Sequence, residues 1–146
     1  ALQNRGANFT LDETMENCLG PGKKSLHTII PGFLMKDGKA VGPFGVMGGF
    51  MQPQGHVEVI MNTLDFMMNP QETLDAPRWQ WVGGKKIQVE KTFPAEIVEE
   101  LKRRGHEMEV LESSLTFGRG QIIWRDENGV LCGATEPRAD GAVAVW

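Results

Sequence analysis

The sequence predicts an α+β fold, in which helices pack against a mostly antiparallel sheet. Three observations support this class. Short apolar segments joined by glycine turns are typical of hairpins, and apolar residues recur at helical spacing in two longer segments. The predicted order is strands, two helices, strands, one helix and strands. This order does not fit a doubly wound sheet, in which each strand would be followed by a helix.

The first predicted hairpin follows a polar, irregular segment that we interpret as a surface loop. A strand over 26–35 leads into the turn Asp37-Gly38, and residues 39–47 form the returning strand. Pro31 and Pro43 lie inside these runs. Because proline cannot donate to a strand ladder, edge or irregular positions are expected there.

Two helices are predicted next. The first runs from about 54 to 68, and its apolar face, expected to contact the core, consists of Val57, Ile60, Met61, Leu64, Met67 and Met68. The second begins at Asn69-Pro70-Gln71-Glu72, which supplies an N-cap, a proline at the first helical position and an acid at the third. It is expected to end near Ala76, because Pro77 follows.

The remaining elements are mostly short strands. Residues 78–82 and 86–90 alternate in polarity around Gly83-Gly84, and residues 94–104 form an amphipathic helix that Gly105 is placed to end. Further strands are predicted at 107–111, 121–124, 130–135 and 142–146, with Asp126-Glu127-Asn128-Gly129 as a hairpin turn.

The length of 146 residues is enough for one folded domain over 1–146, or for part of a larger one. Hydrophobic content of 40% and charged content of 23% are ordinary for a globular protein and argue against disorder. The net charge of -4 and the scattered basic residues predict no nucleic-acid partner. No signal peptide or membrane-spanning run is visible, so a soluble chain without a membrane partner is expected. Cys18 and Cys132 are interpreted as free thiols, which leaves the compartment open between cytoplasmic and secreted.

The most informative stretch is 42–54, which contains four glycines within eight residues before a predicted helix. Uncovered backbone N–H groups near a helix start favour an anion or a polarised carbonyl oxygen. A plain structural turn is the alternative, and pattern alone slightly favours it. The spacing matches no common phosphate-binding loop.

Residue patterns alone identify no reaction. The hydroxyl and thiol residues lack the setting of an activated nucleophile, and no carboxylate pair or histidine cluster suggests a metal or cofactor. His27 and Thr28 are expected on opposite faces of a strand. His56 and His106 are interpreted as isolated structural residues.

Five short motifs in order resemble the small, C-terminal subunit of the γ-glutamyltransferase family of N-terminal nucleophile hydrolases, including its cephalosporin-acylase-like branch. The resemblance covers nearly the whole chain. The motifs are Leu2-Gln3-Asn4-Arg5-Gly6-Ala7-Asn8-Phe9, Lys23-Lys24-Ser25-Leu26-His27-Thr28-Ile29-Ile30-Pro31, Gly45-Val46-Met47-Gly48-Gly49, Ala76-Pro77-Arg78 and Gly133-Ala134-Thr135-Glu136-Pro137-Arg138.

This resemblance implies an αββα sandwich, of which the chain supplies only part. The other part would be a large N-terminal subunit from the same autocleaved precursor. The family nucleophile is the threonine that cleavage exposes, with its own amino group as base. By the resemblance, that threonine would lie some tens of residues before Ala1, so the isolated chain is expected to be inactive.

Site residues follow from the same resemblance. The amides of Gly48 and Gly49 would form the oxyanion hole. His27 and Thr28 take the places of two serines that bind the substrate α-carboxylate, and Arg5 matches a position near the substrate. No cofactor is implied.

Asn8 is the main departure from the family pattern, because it replaces the aspartate that pairs with the substrate α-ammonium. Losing a charge-assisted hydrogen bond costs roughly 1.5 to 3 kcal/mol. Ala7 removes the neighbouring acid as well. These changes predict a preference for acyl groups such as glutaryl, with hydrolysis at least as favoured as transpeptidation.

Two other readings stay open at this point. The glycines could hold a carboxylate or phosphate in a non-catalytic binding module. Alternatively, the chain could belong to an inactive relative, since Met47 replaces the proline before the paired glycines and both aspartates are missing.

Overall fold

The computed structural model describes residues 4–146, which form two sheets and three α-helices. Within that range the strands are β1 (Gly32–Lys36), β2 (Lys39–Met47), β3 (Trp79–Gly83), β4 (Lys86–Glu90), β5 (Glu107–Leu111), β6 (Arg119–Arg125) and β7 (Leu131–Thr135). The helices are α1 (Gln52–Leu64), α2 (Pro70–Asp75) and α3 (Ala95–Arg103). The predicted α+β class is confirmed.

The larger sheet has the order β1-β2-β6-β7, with every neighbouring pair antiparallel. One of its faces packs against α1 and α2, and this contact contains the main core cluster of Val46, Val59, Leu74, Ile122, Trp124 and Ala134. The opposite face exposes large apolar side chains, among them Phe33, Ile123 and Leu131. Much of this face is therefore not covered by other elements within residues 4–146.

The smaller sheet has the order β3-β4-β5. Its first pair is antiparallel, whereas β4 and β5 are parallel and are joined through α3, which contacts β5. The sequence prediction of a mostly antiparallel arrangement is therefore correct, with one parallel pair.

Two glycines allow close approaches around β2. Gly42 has φ +152, and a Cβ there would lie 1.9 Å from the carbonyl oxygen of Ile123. Gly55 of α1 packs directly on β2, since its Cβ would lie 2.7 Å from a methyl carbon of Val46. Side chains at either position would separate the backbones.

The first predicted strand is too long. Residues 26–31 are irregular, and β1 begins only at Gly32. Pro31 has no N–H for a ladder, and the Ile30 N–H donates to the side-chain oxygen of Gln52 at 3.4 Å. The expectation that His27 and Thr28 occupy opposite faces of a strand is wrong for the same reason.

The prediction for α1 is wrong in its C-terminal boundary and in its buried face. The helix ends at Leu64, and Met67 has a positive φ of 55°. Glu58 and Val59 are buried, whereas the apolar face predicted to contact the core exposes Val57, Met61, Leu64 and Met67. Gly55 explains this orientation, because a helix approaches a strand most closely along a side that lacks a Cβ.

The other elements agree with the sequence apart from the tail. Asn69 and Glu72 form the expected capping box at the start of α2. Cys18 and Cys132 are free thiols.

The predicted strand over 142–146 is absent, and this segment is exposed without a ladder partner in the described part of the chain. No helix within residues 4–146 has the length and apolarity needed to cross a bilayer.

Candidate functional site

The paired glycines lie between the end of β2 and the start of α1. The β2–β6 ladder ends at the pair Met47–Arg119, so the N–H groups of Gly48 and Gly49 lie outside it. A single 3-10 turn, Gly49–Met51, then leads into α1, and the Met51 N–H donates to the Gly48 oxygen at 3.1 Å. Within residues 4–146, neither glycine N–H donates a backbone hydrogen bond outside the regular elements.

Glycine is required at both positions, for different reasons. Gly49 has φ +60, a conformation that side chains disfavour, although the space around it is open. A Cβ at Gly48 would lie 2.9 Å from the Cα of Gly118, which itself has φ +78. The loop containing Gly118 therefore packs directly against the backbone of the paired glycines.

A cavity of about 540 Å³ opens beside this turn. We call it the glycine cavity, and its polar and glycine lining includes Arg5, Gly45, Gly49, Gln52, His56 and Arg119. Apolar walls come from prolines and from the exposed side of β2 and β6. Among the described residues, the lining contains two arginines and no carboxylate, so the cavity favours an anionic ligand.

The structure joins two of the predicted substrate-binding residues. Arg5 donates to the hydroxyl oxygen of Thr28 from Nε at 3.2 Å and from Nη2 at 2.9 Å. Asn8 ends the same 3-10 turn, Arg5–Asn8, and its carbonyl oxygen accepts a hydrogen bond from Asn17. Asn8 itself is outside the lining of the glycine cavity, and His27 lines a separate shallow depression.

His56 lines the cavity, although no sequence pattern indicated this position for it. Its Nδ1 lies 2.6 Å from the backbone oxygen of Gln52, and because a carbonyl oxygen only accepts, Nδ1 must carry the hydrogen. Nε2 is buried without a hydrogen-bond partner among the described residues. The ring packs against Phe44 with centroids 5.3 Å apart. Gln52 and His56 follow the paired glycines and are four residues apart. This helical spacing was the sequence signal that the two side chains lie on one side of α1.

A buried ion network lies behind the loop that contains Gly118. Arg78 donates to Glu136 at 2.9 Å and to the backbone oxygen of Phe117 at 2.9 Å. Glu136 also accepts the Gly120 N–H, and Arg138 pairs with both Glu136 and Glu90. The network thereby fixes the start of β6 and the loop before it. The two Pro-Arg dipeptides were its signal in the sequence.

Each charge in this network is compensated. All five N–H groups of the Arg138 guanidinium have acceptors: Glu90 and Glu136, and the backbone oxygens of Leu74 and Ala76. Burial favours a raised pKa for Glu136, but Arg78, Arg138 and the Gly120 N–H outweigh burial and lower it below its ordinary value. Glu136 is therefore ionised in the folded protein at neutral pH.

Glu58 of α1 lies next to this network but is not paired with it. One carboxyl oxygen accepts the Trp79 N–H at 2.9 Å, and the other is buried without a hydrogen-bond partner in the described chain. Burial raises the pKa of Glu58 from 4.5 to about 7, against opposing contributions from the Trp79 N–H, Arg78 and Arg138.

We expect the Glu58→Gln variant to lose a pH dependence that the native protein has. Because the folded state holds the Glu58 proton more tightly than the unfolded state, native stability relative to the variant should fall as pH rises from 4.5 through 7. The full change is on the order of 3 kcal/mol. Urea unfolding between pH 5 and 8 measures it. Glu96→Gln on the exposed side of α3 is the control, and parallel profiles for native protein and Glu58→Gln would contradict the expectation.

Among residues 4–146, no group of three or more His, Cys, Asp or Glu side chains is placed to hold a metal ion.

Comparisons with known proteins agree on one family. The family model for gamma-glutamyltranspeptidase matches residues 1–146. The chain is 39% identical over 147 residues to the glutathione hydrolase-like YwrD proenzyme of Bacillus subtilis, covering 97% of this chain and 28% of that protein. It is 35% identical over 148 residues to the oxamate amidohydrolase proenzyme of Klebsiella pneumoniae, with 97% and 28% covered.

A solved structure shows a similar chain fold. The cephalosporin acylase from Bacillus halodurans is 64% identical, with a TM-score of 0.96 over 100% of this chain and 27% of that chain. The present chain therefore spans a little over a quarter of the length of these relatives.

Proposed function

Since the chain belongs to the γ-glutamyltranspeptidase family, we propose that it forms the C-terminal part of an amidohydrolase that cleaves γ-glutamyl or glutaryl-type amides. Its fold is part of the αββα sandwich of N-terminal nucleophile hydrolases. In this proposal the catalytic threonine lies outside the chain, and the present residues supply the oxyanion hole and part of the acyl pocket.

The proposed chemistry assigns the Gly48 and Gly49 amides to the acyl carbonyl. The threonine hydroxyl adds to the carbonyl carbon, and its proton goes to the free amino group of the same threonine. The negative charge that develops on the carbonyl oxygen is accepted by the two N–H groups. The amino group then gives this proton to the leaving nitrogen as the C–N bond breaks, which releases the amine and leaves an ester. Water hydrolyses the ester to the free acid and restores the threonine.

One observation carries this assignment. The paired glycine amides lie outside the strand ladder, and Gly49 lines the same cavity as Arg5, which is bonded to Thr28. One candidate oxyanion donor, Gly49, and one candidate acyl-binding residue, Arg5, therefore line the same cavity although they are distant in the sequence. A turn with only a structural role would not require this proximity.

The proposed partner is a large N-terminal subunit of the same precursor. Both curated relatives named above are proenzymes. The apolar face of the larger sheet and the outer side of α1 are exposed, which is unusual for a monomer and typical of surfaces that another layer covers. The second sheet and helix layer of the sandwich fit this requirement.

The substrate preference is tested with the full-length precursor and two anilides, γ-glutamyl and glutaryl 4-nitroanilide. We expect faster turnover of the glutaryl compound, because Asn8 offers no charge to an ammonium group. Asn8→Asp should shift the ratio of kcat/KM values towards γ-glutamyl by roughly 10- to 150-fold, from a charge-assisted bond of roughly 1.5 to 3 kcal/mol. The description of one relative as an oxamate amidohydrolase supports acceptance of a carboxylate-bearing amide.

Asn128→Asp, in the remote turn between β6 and β7, is the control for added negative charge. A native preference for γ-glutamyl that is abolished by changing Asn8 would contradict the charge argument. No turnover of either anilide after processing of the precursor would favour a non-catalytic anion-binding module.

A further inference from the structure

The outer edge of β3 is bonded to α1 through two side chains of the helix. In an antiparallel pair, the backbone groups of alternate residues point away from the partner strand. The Trp79 N–H donates to Glu58 Oε1 at 2.9 Å. The Trp81 N–H donates to Gln54 Oε1 at 2.7 Å. Because Gln54 and Glu58 are four residues apart, they lie on one face of α1, and this face takes the place of a further strand beside β3.

Gln54 makes both hydrogen bonds that a neighbouring strand would make with Trp81. Its Nε2 donates to the Trp81 carbonyl oxygen at 3.2 Å, while its Oε1 accepts the Trp81 N–H. A side-chain amide can do this because it carries a donor and an acceptor side by side. Two hydrogen bonds of opposite direction fix both the distance and the orientation of the groups that they join. The start of α1 is therefore fixed relative to the smaller sheet.

The first turn of α1 depends on contacts from outside the helix. Its N-cap is Met51, whose side chain makes no capping hydrogen bond within the described part of the chain. The contact between the Gln52 side chain and the Ile30 N–H is long, at 3.4 Å. The turn of the paired glycines leads directly into this end of the helix, and the Met51 N–H is bonded to the Gly48 oxygen. A shift of the first turn of α1 would therefore move the paired glycine amides.

The shorter helix α2 makes the same kind of contact but does not depend on it. Gln71 Oε1 accepts the Thr135 N–H at 3.3 Å, and Gln71 Nε2 donates to the Thr135 oxygen at 3.0 Å, at the outer edge of β7. Nε2 also donates to Asp75 at 2.8 Å. The start of α2 is fixed by its own capping box of Asn69 and Glu72. Gln71 is therefore a natural control for Gln54.

We propose that Gln54 is a positioning residue for the oxyanion hole. It pairs with the backbone of Trp81, fixes the first turn of α1 and thereby sets the directions of the paired glycine N–H groups. This inference rests on the proposed amidohydrolase function. It connects the smaller sheet to catalysis, although none of the described residues of β3, β4 or β5 lines the glycine cavity.

The test compares Gln54→Met with Gln71→Met in the full-length precursor after processing. Methionine keeps the length of the side chain and removes both hydrogen bonds. Gln54→Met should lower kcat for glutaryl 4-nitroanilide by roughly 10- to 100-fold, since a misplacement of about 1 Å can cost about 10²-fold. KM should change less than about 3-fold, because the amides bind charge that develops only in the transition state. Gln71→Met should leave both constants native.

A second variant separates the two hydrogen bonds of Gln54. Gln54→Glu keeps an acceptor for the Trp81 N–H and loses the donor to the Trp81 oxygen, so its kcat should lie between those of the native protein and Gln54→Met. Each kcat is referred to the amount of folded protein, measured by circular dichroism. Native kcat in Gln54→Met, or equal losses in Gln54→Met and Gln71→Met, would overturn the proposal.

Hydrogen exchange measures the positioning without turnover. By mass spectrometry, the segment 50–57 should exchange roughly 5- to 30-fold faster in Gln54→Met than in the native protein, the range for one or two lost hydrogen bonds. Gln71→Met should leave this segment unchanged. If no anilide is hydrolysed but this difference is found, the amidohydrolase function fails and the role of Gln54 in fixing the turn stands. If anilides are hydrolysed but exchange in Gln54→Met is native, the positioning proposal fails alone.

Discussion

Replacing Glu136 by glutamine is expected to lower the free energy of unfolding by about 3 to 5 kcal/mol, the typical cost of removing one partner from a buried ion pair. The substitution preserves the shape of the side chain but leaves the buried Arg78 and Arg138 guanidinium groups with Glu90 as their remaining anion. Equilibrium urea unfolding of the full-length protein at neutral pH measures the loss.

Glu112→Gln is the matched control for this prediction. Glu112 pairs with Lys91 at 3.0 Å, but both side chains are largely exposed, at 84% and 62%. An exposed ion pair of this kind contributes about 0 to 1 kcal/mol to the free energy of unfolding. If the two variants were destabilised equally, the network around Glu136 would have no special role in holding the two sheets together.

The second large effect is expected at the paired glycines. Gly48→Ala would place a Cβ 2.9 Å from the Cα of Gly118, so the turn must shift and its N–H groups must change direction. In the proposed mechanism this change removes an oxyanion donor, which costs roughly 10²- to 10³-fold in kcat. KM should change little, because the donors bind charge that develops only in the transition state. Steady-state kinetics with glutaryl 4-nitroanilide measure both constants.

Gly133→Ala provides the comparison for Gly48→Ala. Its Cβ would also lie 2.9 Å from a neighbour, but that neighbour is a methyl carbon of Val143, which can move. Gel analysis of the proposed precursor cleavage must accompany both assays, so that failed cleavage is not mistaken for slow catalysis. A fully processed Gly48→Ala enzyme with native kcat would remove these amides from the mechanism.

Local sequence signals predicted the elements whose structure depends on local contacts. The cap at Asn69, the hairpin turn before β7 and the amphipathic α3 all follow from residues within a few positions of one another. Contacts between residues far apart in the sequence determine the features that were predicted wrongly. The buried side of α1 depends on how closely Gly55 approaches β2, and its apolar stripe stays exposed because the layer proposed to cover it lies outside the chain.

The candidate site was predicted in part. The glycine pair, Arg5 and Thr28 were identified from motifs, and the structure brings Gly49 and Arg5 to one cavity. Gln52 and His56 were missed because helical amphipathicity was read along the whole of α1, which hid two polar residues in its first turns. The role of the ion network was missed because its two main ion pairs join distant positions. Arg78 and Glu136 are 58 residues apart and Arg138 and Glu90 are 48 apart, distances over which residue spacing has no predictive value.

The close approach at Gly42 also controls which residues of β2 can stand opposite β6. A slip of one residue would turn every side chain of the strand to the wrong face. A slip of two residues would keep each side chain on its correct face but bring Ala40 or Phe44 to the position of Gly42. A Cβ at that position would lie 1.9 Å from the Ile123 oxygen. The first misalignment is therefore disfavoured by the reversed faces, and the second by steric overlap at a single position. The register of β2 against β6 that Gly42 permits also places the end of β2, and thereby the position at which Gly48 contacts Gly118.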